Sequence, residues 1–215
     1  MTINYSLDNL IDQMRKDGTL LSDAVERALR RNDRRKFVPP HLNGDAYFDA
    51  PLPIGDGQTI SQPSTVVFML ERLEPQPGQT VLDIGAGSGW QTSLLSSLVG
   101  STGRVIAIEI RPTLLAAAKK RVETRANIHW VLGSGYDGYP KHAPYDRIIV
   151  AAAGQEIPEA LLQQLKVGGR LLMPVNHNLV QVDKRNSGEY EQQLWPGFSF
   201  VPFIDAADMG GVNNQ

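Results

Sequence analysis

Residues 81–90 read VLDIGAGSGW, and this stretch decides the fold. An apolar run breaks at Asp83, glycines follow at 85, 87 and 89, and helix-compatible residues begin at once. Such a run fits a buried strand, and closely spaced glycines allow a tight turn whose backbone approaches a ligand that any Cβ would hold off. The spacing is G-x-G-x-G, with Trp90 where G-x-G-x-x-G has its last glycine. The pyrophosphate-binding fingerprint is therefore absent, which favours a nucleoside without phosphate over a dinucleotide. Taken alone, the turn is also consistent with a plain strand-to-helix connection.

Downstream the pattern repeats. TVLDIG (80–85), RVIAIE (104–109), IHWVL (128–132), DRIIVA (146–151) and RLLMPV (170–175) are strand candidates. Helical stretches fall between them at 90–99, 112–125 and 157–165, the last two with Pro112 and Pro158 at their starts. Strand–helix alternation predicts an α/β fold, a doubly wound, mostly parallel sheet with helices on both faces. The near-continuous apolar runs at 81–84, 105–108 and 147–150 suit strands buried on both sides.

Residues 1–45 read as a helical cap. Leu7, Leu10, Ile11 and Met14 share one helix face that Gly18 ends, and Ser22 is placed to cap a second helix carrying Val25, Ala28 and Leu29. Arg30, Arg31, Arg34, Arg35 and Lys36 crowd its tail and are read as solvated cations complementing the helix dipole. Residues 46–72 contain the Pro/Gly-rich passage PLPIGDGQTISQP before an apolar helix, VVFMLERL. An irregular segment of that length inside a compact domain points to a functional lid. Residues 78–175 form the expected cofactor-binding core. From 176 to 215, NLVQVDK, EYEQQLW and FSFVPF predict added antiparallel strands with a turn at Asn186–Gly188, and the tail from Asp205 reads as loose.

Composition excludes several classes. With 21 Lys and Arg against 23 Asp and Glu, the net charge of −2 gives no electrostatic basis for binding nucleic acid. The absence of cysteine excludes disulfides, thiolate nucleophiles and zinc-thiolate sites. The N-terminal residues carry acids where a secretory leader needs a basic start, and no apolar run reaches the length of a membrane span. A soluble, cytoplasmic, monomeric protein is expected. His41, His129, His142 and His177 share no ligand spacing, so no metal is expected either.

Glu109 ends the strand candidate after the glycine turn, where a carboxylate can accept both hydroxyls of a ribose. Asp83 precedes the turn, where it can face the cationic part of a ligand. S-adenosylmethionine meets these demands, being a ribonucleoside with a sulfonium and no phosphate. A nicotinamide dehydrogenase is disfavoured by the glycine spacing.

The sequence resembles the protein-L-isoaspartate O-methyltransferases. The resemblance is carried by PLPIGDGQTISQP (51–63), VLDIGAGSGWQTSLLS (81–96), APYDRIIVAAAGQEIP (143–158) and LKVGGRLLMPV (165–175), extended by RRKFVP (34–39) and AYFDAPL (46–52). It implies the Rossmann-like class I S-adenosylmethionine-dependent methyltransferase fold, with N-terminal helices and a C-terminal β extension. It further implies methyl transfer to the α-carboxylate of L-isoaspartyl residues in damaged proteins or peptides, with S-adenosyl-L-homocysteine as product. Ser61 would be the catalytic residue, touching the substrate carboxylate. Gln58, Thr59, Ile60, Asp83, Gly85, Gly87, Ser88, Gly89, Glu109, Ser134 and Gly135 would hold the cofactor. The sequence departs from the usual family pattern at Ser134, where Asp is common, at Ser64, where an aromatic or His is common, and at Ala151 and Gly154–Gln155. A relative that keeps the fold without isoaspartate activity, or one that methylates another carboxylate, remains an open reading.

The chemistry is coherent with these residues. A carboxylate is nucleophilic at pH 7 and a sulfonium is electrophilic, so alignment and exclusion of water suffice without thiol, metal or general base. The Ser61 hydroxyl can orient a carboxylate by donating a hydrogen bond. Without the resemblance, Ser61 reads as a turn or cap before Pro63. Trp90 reads as a packing group.

Overall fold

Two serines set the N-terminal helices. In the computed structural model, which describes residues 6–122 and 124–204, Ser6 accepts the N–H of Asn9 and Ser22 that of Val25. These caps open α1 (Leu7–Lys16) and α2 (Asp23–Arg31), whose buried faces are Leu10, Ile11 and Met14 and then Val25, Ala28 and Leu29. Short 3₁₀ turns at Arg34–Phe37 and Pro40–Asp45 lead to a two-stranded hairpin, β1 (Leu52–Gly55) and β2 (Gln58–Ile60), turning through Asp56 and Gly57 at positive φ. Helix α3 (Pro63–Leu73) begins at a proline, and its own preceding residue gives no cap. Asp49 supplies one instead, its Oδ1 accepting the Ser64 N–H at 2.8 Å.

The alternating region follows as β3 (Thr80–Ile84), α4 (Trp90–Val99), β4 (Arg104–Glu109), α5 (Pro112–Arg121), β5 (Ile128–Leu132), β6 (Tyr145–Val150), α6 (Glu159–Gln163), β7 (Leu165–Val175), β8 (Asn178–Lys184) and β9 (Tyr190–Pro196). They form one seven-stranded sheet ordered β5-β4-β3-β6-β7-β8-β9, parallel from β5 to β7 and antiparallel beyond. Side-chain alternation sends Val81, Val105, Ile149 and Leu172 into the core shared with α1–α4, and Leu82, Ile106, Ile148 and Leu171 into the core on the α6 side. Each of these eight residues is fully buried, as the apolar runs predicted. No helix among the described residues is long and apolar enough to cross a membrane.

Five expectations are corrected. Helix α5 stops at Arg121 rather than 125, and α6 covers only Glu159–Gln163. Strand β7 starts at Leu165, because Leu165 pairs with Tyr145 and a register shift then reaches Arg147↔Arg170. The FSFVPF segment is no strand. Gly197 turns the chain out of β9 at φ 91°, Pro202 has no N–H to give a ladder, and only an isolated bridge, Ala153↔Pro202, remains. Finally, Arg34 is not solvated: it is 2% exposed. Arg30 and Arg35 do lie at the surface, paired with Asp8 and Glu26 and with Asp33. The tail from Asp205 lies outside the described residues.

Candidate active site

The strand order reverses at β3, whose neighbours are β4 on one side and β6 on the other. In doubly wound sheets the crevice opens beyond the carboxyl ends of the strands at this switch. A cleft lies there, walled by the ends of β3 (Ile84–Ser88), β4 (Ile108–Arg111), β5 (Gly133–Gly135) and β6 (Ala151, Ala152). Its outer walls are β2, with Ser61 just after it, and the segment Val201–Ile204.

Loop geometry depends on backbone freedom at two glycines. A Cβ at Gly135 would stand 2.2 Å from Ile84 Cγ2, so only glycine lets this wall approach the end of β3. Gly89 has φ 85°, and a Cβ there would meet Ala118 of α5 at 3.0 Å. Gly89 thus serves the contact between α4 and α5 and does not line the cleft.

Glu109 organises the floor. Its carboxylate is 4% exposed, with Oε2 accepting the Gly87 N–H at 2.7 Å and Oε1 the Arg111 N–H at 2.9 Å. The glycine turn is thereby fastened to the end of β4. Asp83 lies behind the turn, fully buried, and accepts from Gln91 Nε2 at 2.8 Å and Thr92 Oγ1 at 2.6 Å. Burial pushes its carboxyl up to about 6, against those two hydrogen bonds and with the Glu109 charge adding to the rise. Asp83 ties β3 to the first turn of α4 and is absent from the cleft wall.

Of the residues singled out from sequence, Gln58, Thr59, Ile60, Ser61, Gly85, Gly87, Ser88, Glu109, Ser134 and Gly135 line this one cleft, and Asp83 and Gly89 do not. Ser61 occupies a junction. With Thr59, Ala151 and Val201 it lines both the glycine-turn cleft and an adjoining groove bordered by Pro51, Gln62 and Gly197–Phe200. Its hydroxyl has no hydrogen-bond partner among the described residues. The Ser134 hydroxyl donates to the Ile204 carbonyl at 3.2 Å and accepts the Tyr136 N–H at 3.2 Å, so it anchors the outer wall. At the hairpin tip, Thr113 Oγ1 on α5 donates to Asp56 Oδ2, fixing the hairpin across the glycine turn. Ile54 of the same hairpin stands 3.5 Å from where a Gly87 Cβ would be.

Sequence reading missed the Val201–Ile204 wall, because FSFVPF alternates like a strand. Pro202 was the signal against that reading. His129 and His142 pack with ring centroids 4.9 Å apart and planes tilted by 58°, and His142 stacks on Tyr139, away from the cleft.

Comparison with known proteins follows the same outline. The family model described as protein-L-isoaspartate(D-aspartate) O-methyltransferase matches residues 5–208. The protein-L-isoaspartate O-methyltransferase of Staphylothermus marinus is 45% identical, over 91% of this chain and 92% of its own length. That of Methanopyrus kandleri is 41% identical, over 92% and 90%. A solved protein-L-isoaspartate O-methyltransferase superposes with a TM-score of 0.81 at 29% identity, covering 91% of this chain and 65% of that one. A Plasmodium falciparum structure described as a complex of such an enzyme with S-adenosyl-L-homocysteine has the same fold, with a TM-score of 0.81 at 22% identity over 91% and 97% of the two chains. With a family model spanning nearly all its residues, and relatives this similar from end to end, the chain belongs to the protein-L-isoaspartate O-methyltransferase family.

Proposed function

We propose that this chain transfers a methyl group from S-adenosylmethionine to the α-carboxylate of L-isoaspartyl residues in damaged proteins and peptides. The observation that carries the reading is the position of Ser61, its hydroxyl unpartnered where the glycine-turn cleft meets the adjoining groove. The cleft suits an adenosyl group. Its walls include Ile60, Val66, Ile84, Ile108, Ile110 and Phe203, and Glu109 places a carboxylate on its floor. Glu109 would accept the ribose hydroxyls with lone pairs not used by Gly87 and Arg111, and Ile84, Ile108 and Gly135 would bracket the flat base. When bound, the cofactor supplies an electrophilic methyl on a sulfonium.

The protein's own work is then alignment. The Ser61 hydroxyl donates to one oxygen of the incoming carboxylate, leaving the other free to point along the cleft. No proton has to be removed, because the carboxylate is ionised at pH 7. Apolar side chains around the junction, Ile60, Ala151 and Val201, keep water from competing and strengthen the hydrogen bond from Ser61. The groove supports an extended peptide: the backbone N–H groups of Ser199, Phe200 and Val201 have no partner among the described residues. Main-chain pairing there would accept many flanking sequences, as a repair enzyme requires.

The test is Ser61→Ala. Loss of one hydrogen bond to a charged oxygen predicts methyl transfer slower by about 10- to 100-fold, with S-adenosylhomocysteine affinity within about threefold of the wild type. Unchanged transfer would remove Ser61 from this role.

A further inference from the structure

Arg34 is the buried cation whose position sequence alone misplaces. It starts the first 3₁₀ turn, is 2% exposed, and has no carboxylate within hydrogen-bond distance. Its partners are backbone carbonyls. Nη1 donates to Ala46 O at 2.7 Å, and Nη2 to Ala50 O and Ser61 O, each at 3.0 Å, with Ile60 O at 3.5 Å. Nε is buried without a partner, and the guanidinium lies 5.4 Å from the centroid of the Trp90 ring. Burial lowers the group to about 10, only partly offset by the Asp49 charge, so it is still a cation at pH 7.

A buried guanidinium without a paired carboxylate is costly, and an apolar filler often serves stability as well or better. What an apolar filler cannot do is hold carbonyls. Three of the four carbonyls lie in irregular backbone, Ala46 and Ala50 before β1 and Ser61 just after β2, while Ile60 ends β2, where its pairing with Leu52 closes the ladder. Ser61 is thus the first residue beyond the reach of that ladder. The Trp90 ring under the guanidinium opens α4 directly behind the glycine turn, and its Nε1 donates to Asn32 O at 2.9 Å. One side chain thus joins the Ser61 segment, the 46–50 loop and the cofactor side of the cleft.

We propose that Arg34 is a positioning residue for methyl transfer: by gripping the Ser61 carbonyl and bracing against Trp90, it sets the aim of the Ser61 hydroxyl relative to the glycine turn. This rests on the reading that Ser61 orients the substrate carboxylate. Arg34 touches neither substrate nor cofactor and acts through the backbone of Ser61. Small errors of aim in an in-line transfer cost rate far more than they cost ligand binding.

The experiment compares Arg34→Lys, Ser61→Ala and the double variant in the full chain, with rates expressed per S-adenosylhomocysteine-binding site counted by calorimetry. Lysine keeps the charge and loses the planar fork. The expected result for Arg34→Lys is cofactor-product affinity within about threefold of wild type and kcat per site lower by about 10- to 100-fold, with KM for an isoaspartyl peptide moving less than kcat. The double variant should be no more than about threefold slower than Ser61→Ala, because both changes remove one function. Wild-type kcat per site in Arg34→Lys, or effects that multiply in the double variant, would overturn the proposal. Should Arg34→Lys bind no S-adenosylhomocysteine, Arg34→Met is measured the same way. If neither variant retains binding sites, Arg34 is a stability element only and the proposal falls. Wild-type kcat in Ser61→Ala would refute the Ser61 reading by itself, a result distinct from every Arg34 outcome, and would take the proposal with it.

Discussion

Glu109→Gln keeps the length and shape of the side chain and removes its charge. In the structure both carboxylate oxygens accept fixed backbone donors, Gly87 N–H at 2.7 Å and Arg111 N–H at 2.9 Å, in a site 4% exposed. An amide offers one acceptor oxygen, so its NH₂ must face one of those N–H groups, donor against donor. Leaving one buried donor unsatisfied costs about 1–3 kcal/mol, which loosens the glycine turn. Each ribose hydroxyl would also exchange a charge-assisted hydrogen bond for a neutral one or none, losing about 1 kcal/mol apiece. Part of the first cost is borne by the free protein too, so the affinity loss for S-adenosylhomocysteine should be about 2–4 kcal/mol, or about 30- to 1000-fold. Isothermal calorimetry at fixed pH and salt reads this directly. An affinity within threefold of the wild type would refute the assignment of Glu109 to the ribose and the physical argument behind it.

Two further outcomes follow from buried groups. Asp83 titrates near 6 in the folded chain against 3.8 as its ordinary value, so the native state holds this proton more tightly than the unfolded chain. Its stabilising contribution is complete below about 3.8 and is lost as pH rises through about 6. Asp83→Asn cannot titrate, so urea-unfolding free energies from pH 4 to 6.5 should fall less steeply, or rise more, than those of the wild type. Identical slopes would contradict the burial argument. Gly135→Ala places a methyl 2.2 Å from Ile84 Cγ2. Overpacking of this kind costs about 1–3 kcal/mol, and a domain of this size should melt about 2–10 °C lower by calorimetry. An unchanged melting temperature would show that the β5 loop yields freely.

The parts of the fold that were legible in the sequence are the parts specified locally. The strand runs at 80–84 and 104–109 announce themselves because both faces are buried, and the glycine turn because a positive φ leaves its mark on residue type. The Ser22 cap was legible for the same reason: its bond to the Val25 N–H spans three residues. Long-range convergence was not legible. Arg34 looks like one more cation in RRNDRRK, and only the meeting of three segments takes it out of water. Val201–Ile204 alternates like an edge strand, yet it becomes a wall of the cleft because its contacts lie with Ala153 at the end of β6 and with Ser134. Asp83 sits at the position expected of a ligand contact, but α4 offers it Gln91 and Thr92 before any ligand can.

Methyl transfer to matched peptides is the most direct test of the central claim. An L-isoaspartyl peptide and its L-aspartyl counterpart, otherwise identical, are incubated with the protein and S-adenosylmethionine, and base-labile methyl ester is measured as released methanol. Ester formed on the isoaspartyl peptide alone is the predicted result. No ester on either peptide, from protein that binds S-adenosylhomocysteine, or equal ester on both, would contradict it.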